Sequence, residues 1–352
     1  MGWVDRARSV EAYEDAAFDA SLVASFQVAS VATRPIRFYT PTFKAFNSCE
    51  LKGCGKNSFP AFSITAGGCA LQCDHCRAKI LEPMIPATNS AMLEQKVDEL
   101  VASQDLKGFL LSGGSNRRNE VAYERFYPAV ERIKRRHPHL KIAMHTALLD
   151  RSRARAMANA GTDVAMMDVI GSQETIEQVY HLDRPIADFE ATLAALCETS
   201  MAVVPHIVIG LHYGQLKGEW AALDIVARHN RVSALVLVVV MPFYAAAETP
   251  FRTVPPDEIG QVFLAARQRI ADRPVLLGCA RPAGQHKRLT DAYAVMAGLD
   301  GIAFPADGAV ELAGILGRPA EQHHACCSMI VNGADDAQFA AGSRTFLAAA
   351  TT

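Results

Sequence analysis

The sequence predicts a parallel (βα)8 barrel, and three observations lead to that fold class. Eight short apolar runs alternate with longer amphipathic segments between Phe59 and Phe304. The runs are rich in Val and Ile and show no polar alternation, which is typical of strands buried on both faces. Eight β–α units within about 250 residues is the count of such a barrel. We therefore expect a full or nearly full TIM-type barrel, with N- and C-terminal extensions that cover its mouth.

The chain order divides this prediction into three parts. Residues 1–58 form an N-terminal extension with one cysteine pair, and residues 1–40 of it are expected to be helical or partly ordered. Residues 59–305 form the barrel, and residues 306–352 form a C-terminal extension with a closing helix, a His/Cys cluster and an Ala-rich end. The predicted strands are 59–65, 108–112, 141–146, 164–170, 203–209, 234–241, 275–279 and 301–304, and predicted helices include 94–102, 121–133, 175–182 and 186–197.

The bulk composition excludes several classes of protein. The 352 residues carry a formal net charge of −2, so no strong field would recruit nucleic acid or an anionic membrane surface. The longest apolar runs, such as 234–243, are too short to span a bilayer. Acidic side chains interrupt residues 1–20, which lack the apolar run of a signal peptide. Nine cysteines in such a chain indicate metal ligands or free thiols in a reducing cytoplasm.

Three cysteines lie close together just after the first predicted strand. Cys69, Cys73 and Cys76 are spaced Cys-x3-Cys-x2-Cys and follow a Gly-Gly turn. Three thiolates are one ligand short of a closed zinc or cubane site, so an iron held here would keep a position open for a substrate or cofactor. A zinc knuckle and buried free thiols are the competing interpretations. A knuckle usually has two ligand pairs, and His75 is poorly placed as a fourth ligand because it adjoins Cys76.

Polar residues also follow the next predicted strands, at the end of the barrel where active sites lie. Residues 113–115 (Gly-Gly-Ser) follow the second strand, and a Gly-Gly pair there exposes backbone to a ligand. His145 lies at the end of the third strand, Asp168 in the fourth and His206 in the fifth. An ordinary turn, core histidines and a helix-capping carboxylate are the alternatives. These residues are stronger candidates for a functional site as a group than singly, because several strands bring polar groups to the same rim of the barrel.

The remaining cysteines are spread along the chain. Cys49 and Cys54 form a Cys-x4-Cys pair in a predicted loop, where they are candidate metal ligands. The alternative is that both are buried free thiols, because two cysteines alone do not complete a metal site. Cys197 lies among Ala and Leu in a predicted helix, and we interpret it as a core residue.

A last group of candidates lies near the C-terminus. Cys279 ends the seventh predicted strand and is either a metal ligand or a packing residue, and Arg281 is a candidate for gripping a carboxylate. Cys326 and Cys327 follow a His-His-Ala sequence. Adjacent cysteines do not easily bind the same small ion, so we expect only one of these two as a ligand.

The Cys-x3-Cys-x2-Cys spacing resembles the signature of the radical S-adenosylmethionine (radical SAM) superfamily. In that superfamily the three cysteines hold a [4Fe–4S] cluster, whose open iron chelates the amino and carboxylate groups of SAM. His75 stands where an aromatic residue is usual. Over residues 38–328 the chain resembles biotin-synthase-related proteins and is most similar to one subunit of the two-component (split) lipoyl synthases. The segments that carry this resemblance are 59–65, 79–84, 110–115, 168–171 and 203–208.

The resemblance implies a set of cofactor-binding residues. Residues 113–115 resemble the Gly-Gly-Glu segment that contacts the SAM amino group, with Ser in place of Glu. Residues 207–210 resemble the apolar-Gly segment that packs against adenine, and Asp168 is placed to bind ribose hydroxyls. The expected cofactor-binding residues are Gly113, Gly114, Ser115, His145, Asp168, His206, Ile209, Gly210 and Arg281.

The resemblance also implies a reaction and its partners. The reduced cluster cleaves SAM to methionine and a 5′-deoxyadenosyl radical, which abstracts hydrogen from C6 or C8 of an octanoyl chain on a carrier-protein lysine. Sulfur then comes from an auxiliary iron–sulfur cluster. The implied partners are a second lipoyl synthase subunit, an octanoylated carrier protein and an electron donor such as ferredoxin or flavodoxin.

An auxiliary cluster needs cysteines beyond the first three. Cys49 and Cys54 match the Cys-x4-Cys opening of single-chain lipoyl synthases, but Pro60 stands where their next cysteine is expected. The candidates to complete the set are Cys279, Cys326, Cys327 and, by likeness to a C-terminal serine ligand of those enzymes, Ser328.

Two other functions stay open at this point. One is a different radical SAM reaction on a small molecule, such as a mutase, methylation or ring-forming step, with a single cluster. The other is a non-catalytic iron–sulfur or zinc protein such as an electron carrier, which has no use for a large barrel with an open coordination site.

Overall fold

A computed structural model describes residues 2–29, 34–41, 46, 48–51, 58–103, 105–245 and 247–331. In this part of the chain eleven strands form one sheet, and all the strand pairs are parallel. The strands are β1 Ile36–Tyr39, β2 Ala61–Ser63, β3 Ile85–Pro86, β4 Gly108–Ser112, β5 Lys141–His145, β6 Val164–Asp168, β7 Ala202–Ile209, β8 Leu235–Val239, β9 Val275–Leu277, β10 Gly301–Ala303 and β11 Ala320–His323.

The sheet curls into a half-barrel. Its strand order is β11-β1-β10-β9-β8-β7-β6-β5-β4-β2-β3, and within the described residues no pairing joins β11 to β3. From β4 to β10 strands that are neighbours in sequence are neighbours in the sheet, which places a crossover between each pair. The barrel-type fold is confirmed, and the eight predicted strands are β2 and β4 to β10.

Helices form the crossovers on the outside of the sheet. None of them, over the residues described, combines the length and the apolar character needed to cross a membrane. The helices are α1 Trp3–Arg8, α2 Ala20–Ala29, α3 Ser90–Ser103, α4 Tyr127–Arg136, α5 Arg151–Asn159, α6 Gln173–Gln178, α7 Ile186–Cys197, α8 Glu219–Arg228, α9 Pro256–Arg269, α10 Gln285–Met296 and α11 Ala309–Ile315.

Side chains of the central strands alternate between two apolar layers, which explains their unbroken hydrophobic sequences. In β8, Leu235 and Leu237 pack in the outer layer, between sheet and helices. Val236, between them, packs in the inner layer that fills the barrel interior, together with Ala143 of β5 and Val204 of β7. The barrel interior is therefore closely packed beneath the carboxyl ends of these strands.

Both extensions contribute a strand to the sheet. For Ile36–Tyr39 the expectation of a helical or partly ordered segment is wrong, because these residues form β1 between β10 and β11. Four residues are too short to show a period, and their partners lie far away in the sequence. Ahead of β1, α2 packs on the outer helices: the Phe26 ring lies 5.9 Å from that of Tyr293 in α10.

The C-terminal extension returns into the barrel. After β11 the chain turns so that Ala325, Cys327, Met329 and Ile330 join the inner apolar layer. These side chains are nearly or completely inaccessible to solvent. The extension thus fills part of the interior rather than only lying over the mouth.

Candidate active site

The loop that follows β2 carries Cys69, Cys73 and Cys76, and we call residues 66–78 the cysteine loop. Three contacts tie it to the loops after neighbouring strands. The Gly114 N–H donates to Thr65 Oγ1 just before the loop (2.7 Å), and the Ala70 N–H donates to the Ser115 carbonyl (2.8 Å). On the other side, the Asp74 N–H donates to the carbonyl of Val179 after α6 (3.0 Å).

The cysteine loop has an unusual backbone. Its residues Ala66, Gln72, Arg77 and Ala78 all have left-handed conformations, with φ of 50°, 50°, 49° and 60°. Non-glycine residues in this region are uncommon and carry a cost that the surrounding structure must offset. Concentrated strain of this kind is typical of sites where backbone geometry serves a ligand.

The three thiols differ in exposure. Cys73 is buried, whereas Cys69 and Cys76 are partly exposed. Burial, reinforced by the neighbouring cysteines, raises the pKa of Cys73 well above its ordinary value and that of Cys76 to about 11. Without a metal these two thiols are therefore neutral at pH 7, and metal binding would release their protons.

The donor set fits an iron–sulfur cluster, because three thiolates can each bind a separate iron and leave a fourth iron open. Across the described ranges, no three Cys, His, Asp or Glu side chains converge closely enough to hold one ion. A cubane does not need such convergence, because its cysteines bind separate irons. Moreover, Nδ1 of His75 is buried and has no hydrogen-bond partner in the described part of the chain. Burial lowers the pKa of His75 to about 4, so its ring is neutral beside the thiols.

A cavity of about 330 Å³ opens beside Cys69. Gly114 and Ser115 border it, as expected for a cofactor site, and Glu120 also reaches it. Glu120 does not stand in for the missing glutamate of residue 115, because Arg118 (2.9 Å) and Arg153 (3.4 Å) already pair with its carboxylate. The lining residues are Ile64, Thr65, Gly68, Cys69, Ala70, Gly114, Ser115, Asn116, Glu120, Ala122 and Arg125.

The Gly-Gly pair serves contact with the cysteine loop rather than open backbone. A Cβ atom on Gly114 would lie 1.9 Å from the Gly68 carbonyl oxygen and 2.6 Å from Cα of Cys69. A Cβ on Gly113 would lie 2.6 Å from the Ile64 side chain. Because the Gly114 N–H is already bonded to Thr65, a ligand would not find it free.

His145 and Asp168 are the last residues of β5 and β6, and His206, within β7, lies opposite Asp168 in the sheet. Nε2 of His145 is 3.6 Å from Oδ1 of Asp168, and the two imidazole rings meet edge to face with centroids 5.4 Å apart. Asp168 also interacts electrostatically with Cys73 and Cys76. The carboxylate therefore lies close enough to both the cysteine loop and the histidine pair to affect their pKa values.

These three groups hold different charges. Burial alone would lower the pKa of His145, but Asp168 outweighs it and raises that pKa above its ordinary value. Burial would raise the pKa of Asp168, but His145 and then His206 hold it below its ordinary value. Burial, with His145 nearby, lowers the pKa of His206 to about 4. At pH 7 the site thus combines an ionised carboxylate, a neutral His206 and a His145 that readily carries a proton.

Cys279, Cys326 and Cys327 gather inside the barrel. Cys327 is buried in the inner layer, against which partly exposed Cys279 and Cys326 also pack. Sγ of Cys326 is 2.9 Å from Oγ of Ser328, and Cys326 interacts electrostatically with His145. The hydrogen bond from Cys327, and then those from Ser328, outweigh burial and hold the pKa of Cys326 below its ordinary value. Donating that bond raises the pKa of Cys327 above its ordinary value.

The N-terminal cysteine pair is not shown to join this group. Cys49 is exposed, and its N–H donates to Oδ1 of Asp307 (3.0 Å). Asp307 raises the pKa of the Cys49 thiol, which opposes the thiolate that a metal requires. Cys54 lies outside the described residues. Cys197, partly buried in the outer layer, is at the end of α7 as expected of a packing residue.

The proposed role of Arg281 in gripping a ligand is wrong. Its guanidinium is completely buried and forms a bidentate pair with Asp291, at 2.6 and 2.8 Å. The other three N–H groups donate to the carbonyls of Gly278, Ala303 and Phe304. All five donors are used, so Arg281 holds strand ends together and has no donor left for a ligand.

Ile209 and Gly210 also differ from expectation. The Ile209 side chain is completely buried in the outer layer between sheet and helices, where a cofactor at the mouth cannot contact it. Gly210 has φ of 77°, and its N–H donates to Oε1 of buried Glu219 (2.8 Å). A cofactor would meet at most the backbone of this turn.

Sequence reasoning missed one network, which anchors the cysteine loop through Asp74. Oδ1 of this largely buried carboxylate is 2.9 Å from Nε2 of His181, and Oδ2 accepts a 3.0 Å hydrogen bond from the Tyr213 hydroxyl. Both partners have left-handed backbones, with φ of 52° at each. Close by, the His75 ring stacks on Tyr180, with centroids 5.2 Å apart. No local pattern marks these pairs, because the partners of Asp74 lie 107 and 139 residues away.

We expect Asp74→Ala to weaken cluster retention about 10–100-fold, since groups that orient metal ligands typically contribute that much. The measurement is the rate of iron loss from reconstituted protein to an added chelator. Tyr213→Phe, which removes one hydroxyl and keeps the ring, should give a smaller effect in the same direction. An unchanged rate in both variants would show that the network does not position the cysteines.

No family model matches this chain, and no curated protein matches it. Several solved structures do match it. HydG, a maturase of the [FeFe]-hydrogenase, is 11% identical over 89% of this chain and 72% of its own, with a TM-score of 0.57. Methylornithine synthase (PylB) is 11% identical over 86% of both chains, with a TM-score of 0.55. HydG from Carboxydothermus hydrogenoformans is 13% identical over 80% of this chain and 62% of its own, with a TM-score of 0.52. This chain shares the fold of these proteins.

Proposed function

We propose that this protein is a radical SAM enzyme. The observation that carries the proposal is the strained cysteine loop, which follows β2 of a parallel sheet, carries three thiols and borders a cavity at Cys69. HydG and methylornithine synthase, which have the same fold, are radical SAM enzymes. That agreement supports the proposal because fold and ligand set are independent features.

Cys69, Cys73 and Cys76 would hold a [4Fe–4S] cluster, and the cavity beside Cys69 offers space for SAM. Cluster and SAM together supply a 5′-deoxyadenosyl radical. The protein contributes orientation and electrostatics. Asp74 and its partners orient the cysteine loop, and the ionised Asp168 carboxylate is placed to accept hydrogen bonds from hydroxyl groups. His145, beside it, has a pKa that Asp168 holds above its ordinary value, which would favour a role as a proton donor.

Sulfur insertion into an octanoyl chain is a second candidate, and the gathering of Cys279, Cys326 and Cys327 inside the barrel is the observation that favours it. These thiols would bind an auxiliary cluster facing the substrate. The enzyme would then act in the cytoplasm with a second lipoyl synthase subunit, an octanoylated carrier protein and a ferredoxin or flavodoxin. Another radical SAM reaction on a small molecule fits the same fold equally well.

The test is anaerobic reconstitution with iron and sulfide, followed by iron analysis and measurement of SAM cleavage. We expect about four irons per chain for one cubane, or about eight with an auxiliary cluster. The Cys69, Cys73 and Cys76 triple Ala variant should lose four of them and all cleavage. A chain that takes up iron but never cleaves SAM would support an electron carrier instead. Four irons in the wild type and none in the variant would exclude sulfur insertion from a second cluster.

A further inference from the structure

We infer that the protein has a docking surface for an acidic one-electron carrier protein, formed around the cysteine loop by Arg77, Lys79, Ile80 and Arg117, which we call the basic rim. The inference rests on the proposed function, because a radical SAM enzyme must receive an electron at its cluster. It adds the place where that electron is delivered and the chemistry of the protein that delivers it.

Two members of the basic rim are hydrogen-bonded to the cysteine loop through their own backbone. The Arg77 N–H donates to the Cys73 carbonyl, and the Lys79 N–H donates to the Cys76 carbonyl, both at 2.9 Å. The chain that carries these cations is thus bonded directly to two of the residues proposed to bind iron. A partner protein bound to the two side chains would lie close to the cluster.

Ile80 adds an apolar contact to this surface. It belongs to the short 3₁₀ turn Lys79–Leu81, which follows the cysteine loop. Leu81 is only 5% exposed and anchors the turn in the protein, whereas Ile80 is 47% exposed. The turn therefore presents one apolar side chain to solvent directly beside a cation.

Arg117 lies on the other flank of the cysteine loop. The Ser115 carbonyl, two residues earlier, is 3.8 Å from Sγ of Cys69. Asn116 then folds the chain into a turn, in which its side chain accepts a hydrogen bond from the Arg118 N–H (2.8 Å). Arg117, between these two residues, is exposed. Cations therefore lie near both the first and the last cysteine of the loop.

The positive charges of the basic rim are not neutralised within the described part of the chain. No carboxylate there lies within ion-pair distance of Arg77, Lys79 or Arg117. Glu82 is an exposed carboxylate of the same segment, and Glu120 already pairs with two other arginines. The surface around the cysteine loop thus carries a local excess of positive charge, although the net charge of the chain is −2.

Position and charge together select the partner. The rate of electron transfer falls steeply with distance, so a carrier must dock where its own redox centre comes near the cluster. The cavity that offers space for SAM opens beside Cys69, and none of the four residues of the basic rim lines it. Exposed cations speed the association of an acidic protein, and their effect is largely on rate rather than on affinity. That behaviour suits a carrier that must leave after giving its electron.

The experiment compares two electron donors on the same enzyme. Reconstituted protein is given SAM and either limiting reduced flavodoxin, an acidic carrier, or photoreduced 5-deazariboflavin, a small uncharged donor. Each reduced flavodoxin is oxidised by one electron as the cluster is reduced by one, and the readout is the rate of 5′-deoxyadenosine formation. In a Lys79→Glu, Arg117→Glu double variant we expect the flavodoxin-driven rate to fall about tenfold at low salt. The deazaflavin-driven rate should equal that of the wild type.

A matched control separates a local surface from an effect of net charge. The Arg135→Glu, Arg155→Glu double variant makes the same change in charge at exposed residues of α4 and α5, on the outside of the barrel. It should leave both rates unchanged. A second measurement needs no turnover: the Kd of oxidised flavodoxin for immobilised protein, by biolayer interferometry. Reversing the two charges of the basic rim should raise this Kd, and the control should not.

The results separate the docking surface from the proposed function. Flavodoxin-driven cleavage and flavodoxin binding that weaken only in the basic-rim variant support the surface. An unchanged flavodoxin-driven rate or Kd in that variant overturns it, as does an equal loss in the control. An equal loss with both donors assigns these side chains to the cluster or to SAM and also overturns it. Wild-type enzyme that works with deazaflavin but not with flavodoxin rejects the acidic carrier and leaves radical SAM function intact. No cleavage with either donor rejects the proposed function, and the docking surface with it.

Discussion

Replacing Cys73 by serine should abolish formation of 5′-deoxyadenosine. Cys73 is the most deeply buried of the three loop thiols, so the cluster would lose the ligand that is best shielded from water. A serine hydroxyl is a hard, weakly acidic ligand and a poor substitute for thiolate on iron. The measurement is 5′-deoxyadenosine released per chain after anaerobic reconstitution and reduction.

The matched control for this result is Cys197→Ser, which removes a thiol that contacts only the outer layer. It should cleave SAM at the wild-type rate. Cleavage retained in Cys73→Ser would contradict the assignment of the cysteine loop to the cluster, even if the protein still bound iron elsewhere.

Replacing Gly114 by alanine should be nearly as damaging, although it removes no ligand. The new Cβ would lie 1.9 Å from the Gly68 carbonyl oxygen and 2.7 Å from Cβ of Cys69. Both contacts are shorter than atoms tolerate, and backbone atoms cannot rotate away as a flexible side chain does. The cysteine loop must therefore shift, and we expect the reconstituted variant to hold little iron and to cleave little SAM.

Gly67→Ala provides the comparison, because a Cβ there would meet no atom within 4 Å. That variant should reconstitute and cleave SAM like the wild type. Equal iron content in the Gly114→Ala and Gly67→Ala proteins would show that the loop is not held by this contact. Circular dichroism of both variants before reconstitution would separate a local shift from general misfolding.

The sequence allowed the barrel class and the cysteine loop to be predicted for definite reasons. Strands such as β6 and β8 are buried on both faces, so their unbroken apolar runs are visible without any partner. Cysteine spacing is equally local. Polar residues in or at the end of the predicted strands also include His145, Asp168 and His206, which the structure brings together.

The errors arise where the answer depends on three-dimensional packing that residue type and spacing do not show. Arg281 follows a strand and is cationic, which suggests a ligand-binding role. Its positive charge is instead neutralised by a buried ion pair with Asp291 of α10. Ile209 belongs to a segment that resembles an adenine-packing segment. Its side chain lies on the face of β7 that packs against the helices, so it does not reach the mouth of the barrel. The partners of Asp74 are separated from it by a hundred residues or more, and no spacing rule reaches that far.

The location of the inner thiols has a consequence for the order in which the site is completed during synthesis. The cysteine loop and its anchors Asp74, His181 and Tyr213 have all been made by residue 213. Cys326 follows β11, which pairs with β1 over a separation of 284 positions. A chain made from its N-terminus therefore has the groups proposed to bind iron well before it has Cys326 and Cys327. The cysteine loop and its anchors can therefore come together before the interior thiols have been synthesised.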